Sequence, residues 1–270
     1  MIEIPLSIEI DSEDTEVAEV LVDGVLEGHN QKFLLDTGAA KTSVRYDNYT
    51  AKFETVENSK ISGVFAESQS DIIALPRLEI GSLVKENYSV ERMAKANQEA
   101  HNLIGMDILK DYCCHFIFDE NKLVIDLADS FVGNLGLHKL FLDAGFHPYV
   151  NVQFGEIKAE AVWDTGSGVT AVDTNFIEKH PTLFEEIGTS VGTDATGSKL
   201  ETSEFMMAAS VIGREAFSPH KVVGIDFSRM NASLEKPMNL LLGYTTRKKA
   251  NWLFDFPNKV WAITKVVLIN

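Results

Sequence analysis

Short apolar runs alternate with polar residues along most of this chain, and Gly, Asn and Asp separate the runs. The alternation is strict at both ends, where the inward positions would be Ile2, Ile4, Leu6, Ile8 and Ile10, and then Val260, Ala262, Thr264, Val266 and Leu268. A period of two is typical of a strand that buries one face. The pattern therefore predicts an all-β fold, mainly β with a few short helices.

Helix is predicted at only three places. Residues 107–113, 175–186 and 90–100 lack the period of two and favour short helices. The rest of the chain is expected to form strands and tight turns.

The chain contains an internal repeat. FLLDTGAAKTSV at residues 33–44 matches AVWDTGSGVTAV at residues 161–172 without a gap, at a spacing of 128 residues. Three more blocks follow in the same order: LPRLEIG with MAASVIG, NLIG with LLLG, and FIFDENKLVI with LFDFPNKVWAI. Such self-similarity indicates two copies of one structural unit, and the spacing grows along the chain as surface-loop insertions would make it.

The two copies are separated by a stretch without a strand pattern. The first set of blocks is complete by residue 125, and a new strand-like run begins near residue 139. We therefore predict two homologous lobes, residues 1–130 and residues 131–270.

Composition and charge exclude several classes of partner. The 270 residues are 45% hydrophobic, which is sufficient for a buried core, and their net charge of −16 disfavours nucleic acid and anionic membranes. The basic cluster Arg247-Lys248-Lys249 is interpreted as a solvated turn. The first residues lack a positively charged start and a continuous apolar stretch, so the protein is expected to be cytoplasmic, without contact with a membrane.

Neither cysteines nor histidines indicate a metal or cofactor. Cys113 and Cys114 are adjacent within an apolar run and are interpreted as packing residues. The seven histidines show no close ligand spacing. No metal site and no cofactor are predicted.

Two Asp-Thr-Gly triplets carry the candidate chemistry. Both follow an apolar run, and Gly would let the chain turn sharply while backbone N–H groups face the carboxylate. If pseudo-twofold packing brings Asp36 and Asp164 within hydrogen-bond distance, the two carboxyls share one proton. The ionised carboxylate could then take a proton from water while the protonated one hydrogen-bonds a carbonyl oxygen.

The segments LLDTGAAKTSV and LIGMDIL resemble aspartic proteases of the retropepsin and pepsin clan. The resemblance covers roughly residues 15–125 and 145–264, nearly the whole chain. It implies two closed β-barrel-like lobes related by a pseudo-twofold axis, one aspartate from each lobe, and hairpin flaps over a cleft for a peptide or protein substrate. Both lobes occur in one chain here, as in pepsin, so a monomer is expected.

The resemblance also assigns roles to individual residues. Asp36 and Asp164 are the implied catalytic pair, with Ile104-Gly105 and Leu242-Gly243 packed behind them. The implied supporting residues are Thr37, Gly38, Ala39, Thr165, Gly166 and Ser167, and the implied flap residues are Gly63, Val64, Phe65, Ala195, Thr196 and Gly197. The Ser167 hydroxyl is expected to bond the Asp164 carboxylate and to lower its pKa, help that Ala39 cannot give to Asp36.

Two alternatives stay open beside this peptidase. Each aspartate could merely cap a turn, or the chain could be a catalytically inactive peptide-binding or scaffolding protein on the same fold. The second lobe also departs from the pattern: GYTTR stands where the first lobe has GMDIL, so we expect its short helix to be lost.

Overall fold

The computed structural model describes residues 1–63, 67–96, 100–127, 136–193 and 198–267, with Ser62 described in its backbone only. Strands dominate these residues and the helices are short, so the predicted all-β class is confirmed. The first half contains β1 (Ile2–Pro5), β2 (Ser7–Ile10), β3 (Ala18–Leu26), β4 (His29–Leu35), β5 (Ser43–Val44), β6 (Glu57–Ser62), β7 (Glu67–Ile80), β8 (Leu83–Met93), β9 (Asn102–Ile104), β10 (Cys113–Ile117) and β11 (Lys122–Asp126).

The second half contains β12 (His138–Lys139), β13 (Phe141–Leu142), β14 (Pro148–Phe154), β15 (Ile157–Trp163), β16 (Ala171–Asp173), β17 (Phe184–Thr193), β18 (Lys199–Met207), β19 (Ser210–Ile212), β20 (Glu215–Phe217), β21 (His220–Ile225), β22 (Leu240–Leu242), β23 (Ala250–Asp255) and β24 (Val260–Val266). The helices are α1 (Met106–Leu109), α2 (Thr174–Lys179), α3 (Ser228–Asn231) and α4 (Tyr244–Arg247), with 3-10 turns at Thr50–Lys52, Phe118–Glu120 and Pro181–Leu183. The predicted boundary at residues 130 and 131 lies outside the described residues.

The helix predictions are partly correct. Residues 107–113 contribute to α1, and residues 175–186 contain α2 followed by a 3-10 turn. The prediction for residues 90–100 is wrong, because β8 continues to Met93 and pairs with β7, where Val90 opposes Ile73. The expected loss of the second lobe's helix is also wrong, since α4 begins directly after Gly243.

Each lobe has its own sheet, and both place an aspartate in the same way. The first lobe's sheet has the strand order β2-β3-β4-β9-β5-β8-β7-β6, and the second has β17-β18-β21-β16-β22-β15-β14-β19-β20 with β13 beside β14. The strands before the two aspartates have parallel neighbours: β4 pairs with β9, and β15 pairs with β22. Both Asp-Thr-Gly turns therefore begin at the carboxyl end of a central strand.

The predicted closure of the lobes into barrels is not met, and neither sheet forms a clear barrel. In the second lobe the path ends at β17 and at β20, and the strands are interrupted between β18 and β19 and again between β20 and β21. Pro219, which lacks an N–H group, precedes β21 at the second break. In the first lobe β7 and β8 run unbroken, but only residues 78–80 of β7 reach β3.

A third sheet joins the two lobes. Its order is β1-β11-β10-β23-β24-β12, and the lobes meet where Cys114 in β10 opposes Phe254 in β23. The prediction that the first and last strands share a sheet spanning both lobes is confirmed. The N-terminal alternation is divided, however, since β2 joins the first lobe's own sheet.

Aromatic side chains fill the space between this shared sheet and the second aspartate. The Trp163 ring lies 4.6 Å from the ring centroid of Phe116 and 4.6 Å from that of Phe254. All three side chains are fully buried. The residue before Asp164 is thereby fixed against strands from both lobes.

Removal of residues 1–10 is expected to lower the thermal unfolding temperature. The deletion takes β1 from the shared sheet and β2 from the first lobe's sheet, and it exposes apolar surface that Ile4 and Leu6 cover. Thermal unfolding followed by circular dichroism would measure the effect. An unchanged midpoint would show that these strands do not hold the lobes together.

Candidate active site

The two aspartates begin matching turns. The backbone N–H of Asp36 donates to the carbonyl of Ile104 at 2.9 Å, and that of Asp164 donates to Leu242 at 3.1 Å. Ile104-Gly105 and Leu242-Gly243 therefore lie behind the two aspartates, as expected. A Cβ on Gly105 would lie 2.7 Å from the carbonyl oxygen of Lys41, so the close approach requires glycine.

Buried threonines fix the two turns from behind. The N–H of Gly105 donates to Thr42 Oγ1 at 3.1 Å, and the N–H of Gly243 donates to Thr170 Oγ1 at 3.1 Å. The Thr42 N–H donates in turn to Asp107 Oδ1.

The second lobe makes the corresponding bond without an aspartate. The Thr170 N–H donates to Thr245 Oγ1 at 3.0 Å. Thr245 therefore supplies the acceptor that Asp107 supplies in the first lobe. This bond explains why α4 forms although the aspartate is absent.

Threonines of the two triplets hold the lobes together at the centre. The Thr37 N–H donates to Thr165 Oγ1 at 2.9 Å, and the Thr165 N–H donates to Thr37 Oγ1 at 3.0 Å. Thr37 Oγ1 also donates to the carbonyl of Trp163 at 2.8 Å. Both side chains are fully buried, so these bonds between the lobes are shielded from water.

The glycines bring the carboxylates together. The Gly38 N–H donates to Asp36 Oδ1 at 2.9 Å and lies 3.2 Å from Asp164 Oδ1, while the Gly166 N–H donates to Asp164 Oδ1 at 2.8 Å. A Cβ on Gly38 would lie 2.7 Å from Asp164 Cγ, and one on Gly166 would lie 2.6 Å from Asp36 Oδ1. Each glycine therefore faces the carboxylate of the opposite lobe.

The two carboxyl groups hydrogen-bond each other, and they are only 8% and 7% exposed. Burial raises the pKa of Asp36 well above its ordinary value, and the charge and hydrogen bond of Asp164 raise it further. Backbone N–H groups of Gly38 and Ala39 act in the opposite direction and are weaker. The pair therefore retains a proton at a pH where an exposed aspartate has lost it.

The hydroxyl of Ser167 does not take its expected role. Ser167 Oγ donates to the carbonyl of Val169 at 2.6 Å, an acceptor within the same turn. A hydroxyl has one proton to donate, so the expected bond to the Asp164 carboxylate is not made. The difference between Ala39 and Ser167 consequently gives no reason for unequal pKa values.

The predicted flap residues lie mainly outside the described residues: Val64, Phe65, Ala195, Thr196 and Gly197. The strands that flank them form long hairpins, β6 with β7 and β17 with β18. Gly63, at the end of β6, is buried, and its carbonyl accepts from Arg229 Nη2 in α3 at 2.6 Å. The first hairpin therefore touches the second lobe.

Sequence reasoning missed two residues near the pair. His147 lies beside the Gly38 backbone, and its Nδ1 lies 2.8 Å from Asp143 Oδ2. Burial lowers the pKa of His147, but its bond and attraction to Asp143 outweigh burial and the pKa lies above its ordinary value. Arg247, interpreted as part of a solvated turn, is fully buried behind the Asp164 turn. Neither residue has a sequence motif that could have revealed it.

The contribution of Asp36 to the free energy of unfolding is expected to fall as pH rises above about 4, the ordinary aspartate range. The unfolded chain loses the Asp36 proton there, while the folded pair keeps it because its pKa is raised. Asp36→Asn, which stays neutral, should therefore be more stable than the wild type at neutral pH and should lose this advantage in acid. Urea unfolding across pH would measure the difference, and a difference independent of pH would contradict the raised pKa.

The fold is that of a two-lobe aspartic proteinase. Solved structures that the chain resembles include the crystal structure of an aspartic proteinase from Irpex lacteus, with a TM-score of 0.62 over 98% of this chain and 97% of that chain. The sequence identity is 12%, so this likeness shows the fold alone. No family model and no curated protein matches the sequence.

Proposed function

We propose that this protein is an aspartic endopeptidase that hydrolyses peptide bonds with water held between Asp36 and Asp164. The observation that carries the proposal is the pair itself: two buried, mutually hydrogen-bonded carboxyls at the meeting point of two lobes. A turn-capping role would not require both carboxyls at one point. It would also not require a glycine from each lobe against the opposite carboxylate.

The chemistry needs one acid and one base. The ionised carboxylate takes a proton from water, whose oxygen attacks the scissile carbonyl carbon, and the protonated carboxyl donates to the carbonyl oxygen. The resulting tetrahedral intermediate breaks its C–N bond as the leaving amine receives a proton from the pair. Water supplies the hydroxyl of the new carboxyl and the hydrogen of the new amine, and the pair returns to its monoprotonated state.

The proposed substrate is an extended peptide in the cleft between the lobes. The hairpins β6–β7 and β17–β18 offer main-chain groups to such a peptide, and main-chain hydrogen bonds suit a strand-like ligand. One chain supplies both aspartates, so a monomer suffices for this activity.

A peptide-library digest tests the proposal. The wild type and Asp36→Asn would be incubated with the same library in water enriched in oxygen-18, and the products identified by mass spectrometry. We expect cleavage by the wild type only, with the label in the new carboxyl termini. Equal cleavage by both chains would place the chemistry elsewhere, and binding without cleavage by the wild type would favour a non-catalytic peptide binder.

A further inference from the structure

Arg247 is a buried cation behind the second aspartate. Its side chain has no solvent exposure, and the guanidinium carbon lies 5.5 Å from the ring centroids of both Phe118 and Trp163. A guanidinium is rarely buried to this extent without a specific role or a close ion pair.

The guanidinium holds the Asp164 turn by its backbone. Nη2 of Arg247 lies 3.2 Å from the carbonyl oxygen of Thr165 and 3.1 Å from that of Ser167. These carbonyls flank Gly166, whose N–H donates to the Asp164 carboxylate. Arg247 therefore fixes the peptide groups that hold Asp164 in place.

The charge of Arg247 is only partly compensated. Its Nε and Nη1 are buried and have no hydrogen-bond partner within the part of the chain that the structure describes. Burial lowers the pKa of Arg247 to about 10, and attraction to Asp164, then Tyr244, then Asp36 opposes that fall. The guanidinium thus stays protonated near neutral pH, and the aspartate pair carries charge that balances it.

The first lobe has no cation at the matching position. α1 and α4 begin after Gly105 and Gly243, and the residue that corresponds to Arg247 is Leu109, which is buried and apolar. A titratable group on the Gly38 side is His147, from the loop before β14, and it is paired with Asp143. Among the described residues, the titratable groups that act on the pair are His147 with Asp143 and Arg247 with Tyr244, and the N–H groups of Gly38 and Gly166 donate to the carboxylates.

We propose that Arg247 is a positioning residue that makes the two aspartates unequal, so that Asp164 carries the negative charge and Asp36 carries the shared proton. The inference rests on the proposed function for its mechanistic meaning. In that mechanism Asp164 takes the proton from water, and Asp36 donates to the scissile carbonyl oxygen.

Carbon-13 NMR of labelled aspartate carboxyls tests the charge distribution directly. The two signals would be assigned from the spectra of Asp36→Asn and Asp164→Asn, and the wild type titrated downward from neutral pH. We expect Asp36 to be the first of the two carboxyls to carry a proton as the pH falls, and Asp164 to take up a proton only at lower pH. Protonation in the reverse order would overturn the inference.

Substitutions of Arg247 test the cause. In the Asp36→Asn background, Arg247→Met should raise the pKa of Asp164 by about one unit or more, and Arg247→Lys, which keeps the charge, should raise it less. In the Asp164→Asn background the same Met substitution should move the pKa of Asp36 less than it moves that of Asp164. Equal pKa shifts of Asp36 and Asp164, or an unchanged pKa of Asp164, would contradict the proposal.

Two controls separate electrostatics from packing. Arg247→Gln removes the charge but keeps an N–H donor, so it provides a second test if Arg247→Met disturbs folding. It should raise the pKa of Asp164 as Arg247→Met does. An unchanged pKa of Asp164 would contradict the proposal. Lys248→Leu removes a neighbouring cation that pairs with Glu16. It should shift the pKa of Asp164 less than Arg247→Met and Arg247→Gln do.

The titrations do not depend on peptide cleavage. If the wild type cleaves no peptide but the pKa of Asp164 rises in Arg247→Met, the proposed function fails while the charge assignment stands. If the wild type cleaves peptides and the titration order is reversed, only the assignment fails.

Discussion

Asparagine in place of either Asp36 or Asp164 is expected to reduce kcat for peptide cleavage by about a thousandfold or more while leaving the fold intact. Each carboxyl has a separate task as base or acid, and an amide can perform neither. Because the two groups act as one unit, the double variant should be no less active than either single variant. Single-turnover kinetics on one peptide would measure these rates.

A buried carboxyl outside the pair provides the control. Asp173 is 7% exposed and caps the N-terminus of α2 by accepting from the N–H of Asn175. Asparagine is also a good cap, so Asp173→Asn should leave kcat unchanged. Substantial activity in Asp36→Asn or Asp164→Asn would show that the pair is not the catalytic group.

The threonines between the lobes are expected to contribute several kcal/mol to stability. Thr37→Val and Thr165→Val keep the side-chain shape but remove the hydroxyl that accepts a buried N–H from the other lobe. An unsatisfied buried donor costs about 1–3 kcal/mol, so each variant should lose about that much free energy of unfolding and the double variant more. Urea unfolding at one fixed pH would measure the losses.

Serine at the same positions separates the hydrogen bond from packing. Thr37→Ser and Thr165→Ser keep the hydroxyl and remove one buried methyl group. Each should therefore lose less free energy of unfolding than the corresponding valine variant. If the valine variants are as stable as the wild type, the bonds between the lobes do not stabilise the protein.

The centre of the site was predictable because its geometry is local. Asp36, Thr37 and Gly38 form a turn whose shape depends on neighbours in sequence, and the same turn recurs at Asp164. Two identical triplets after apolar strands therefore predicted both the turns and their pairing. The contacts of Thr37 with Thr165 follow once the two turns face each other.

What the sequence could not predict depends on packing between distant segments. Lys248 pairs with Glu16 although its own side chain is only 12% exposed, and the adjacent Arg247 is covered by Phe118 and Trp163. The residues next to Val90 in the sequence are compatible with a helix, but pairing with β7 makes this segment a strand. The Ser167 hydroxyl donates to the Val169 carbonyl, a choice of acceptor that the sequence pattern does not indicate.

The shared sheet also determines when the aspartate pair can form during synthesis. β10 from the first lobe needs β23, and the Asp164 turn needs Leu242 behind it and Arg247 beneath it. These segments leave the ribosome about 200 residues after Asp36 has emerged. A nascent chain that ends before Arg247 therefore holds Asp36 without a fully supported partner, and we expect the pair to form only after that residue has emerged.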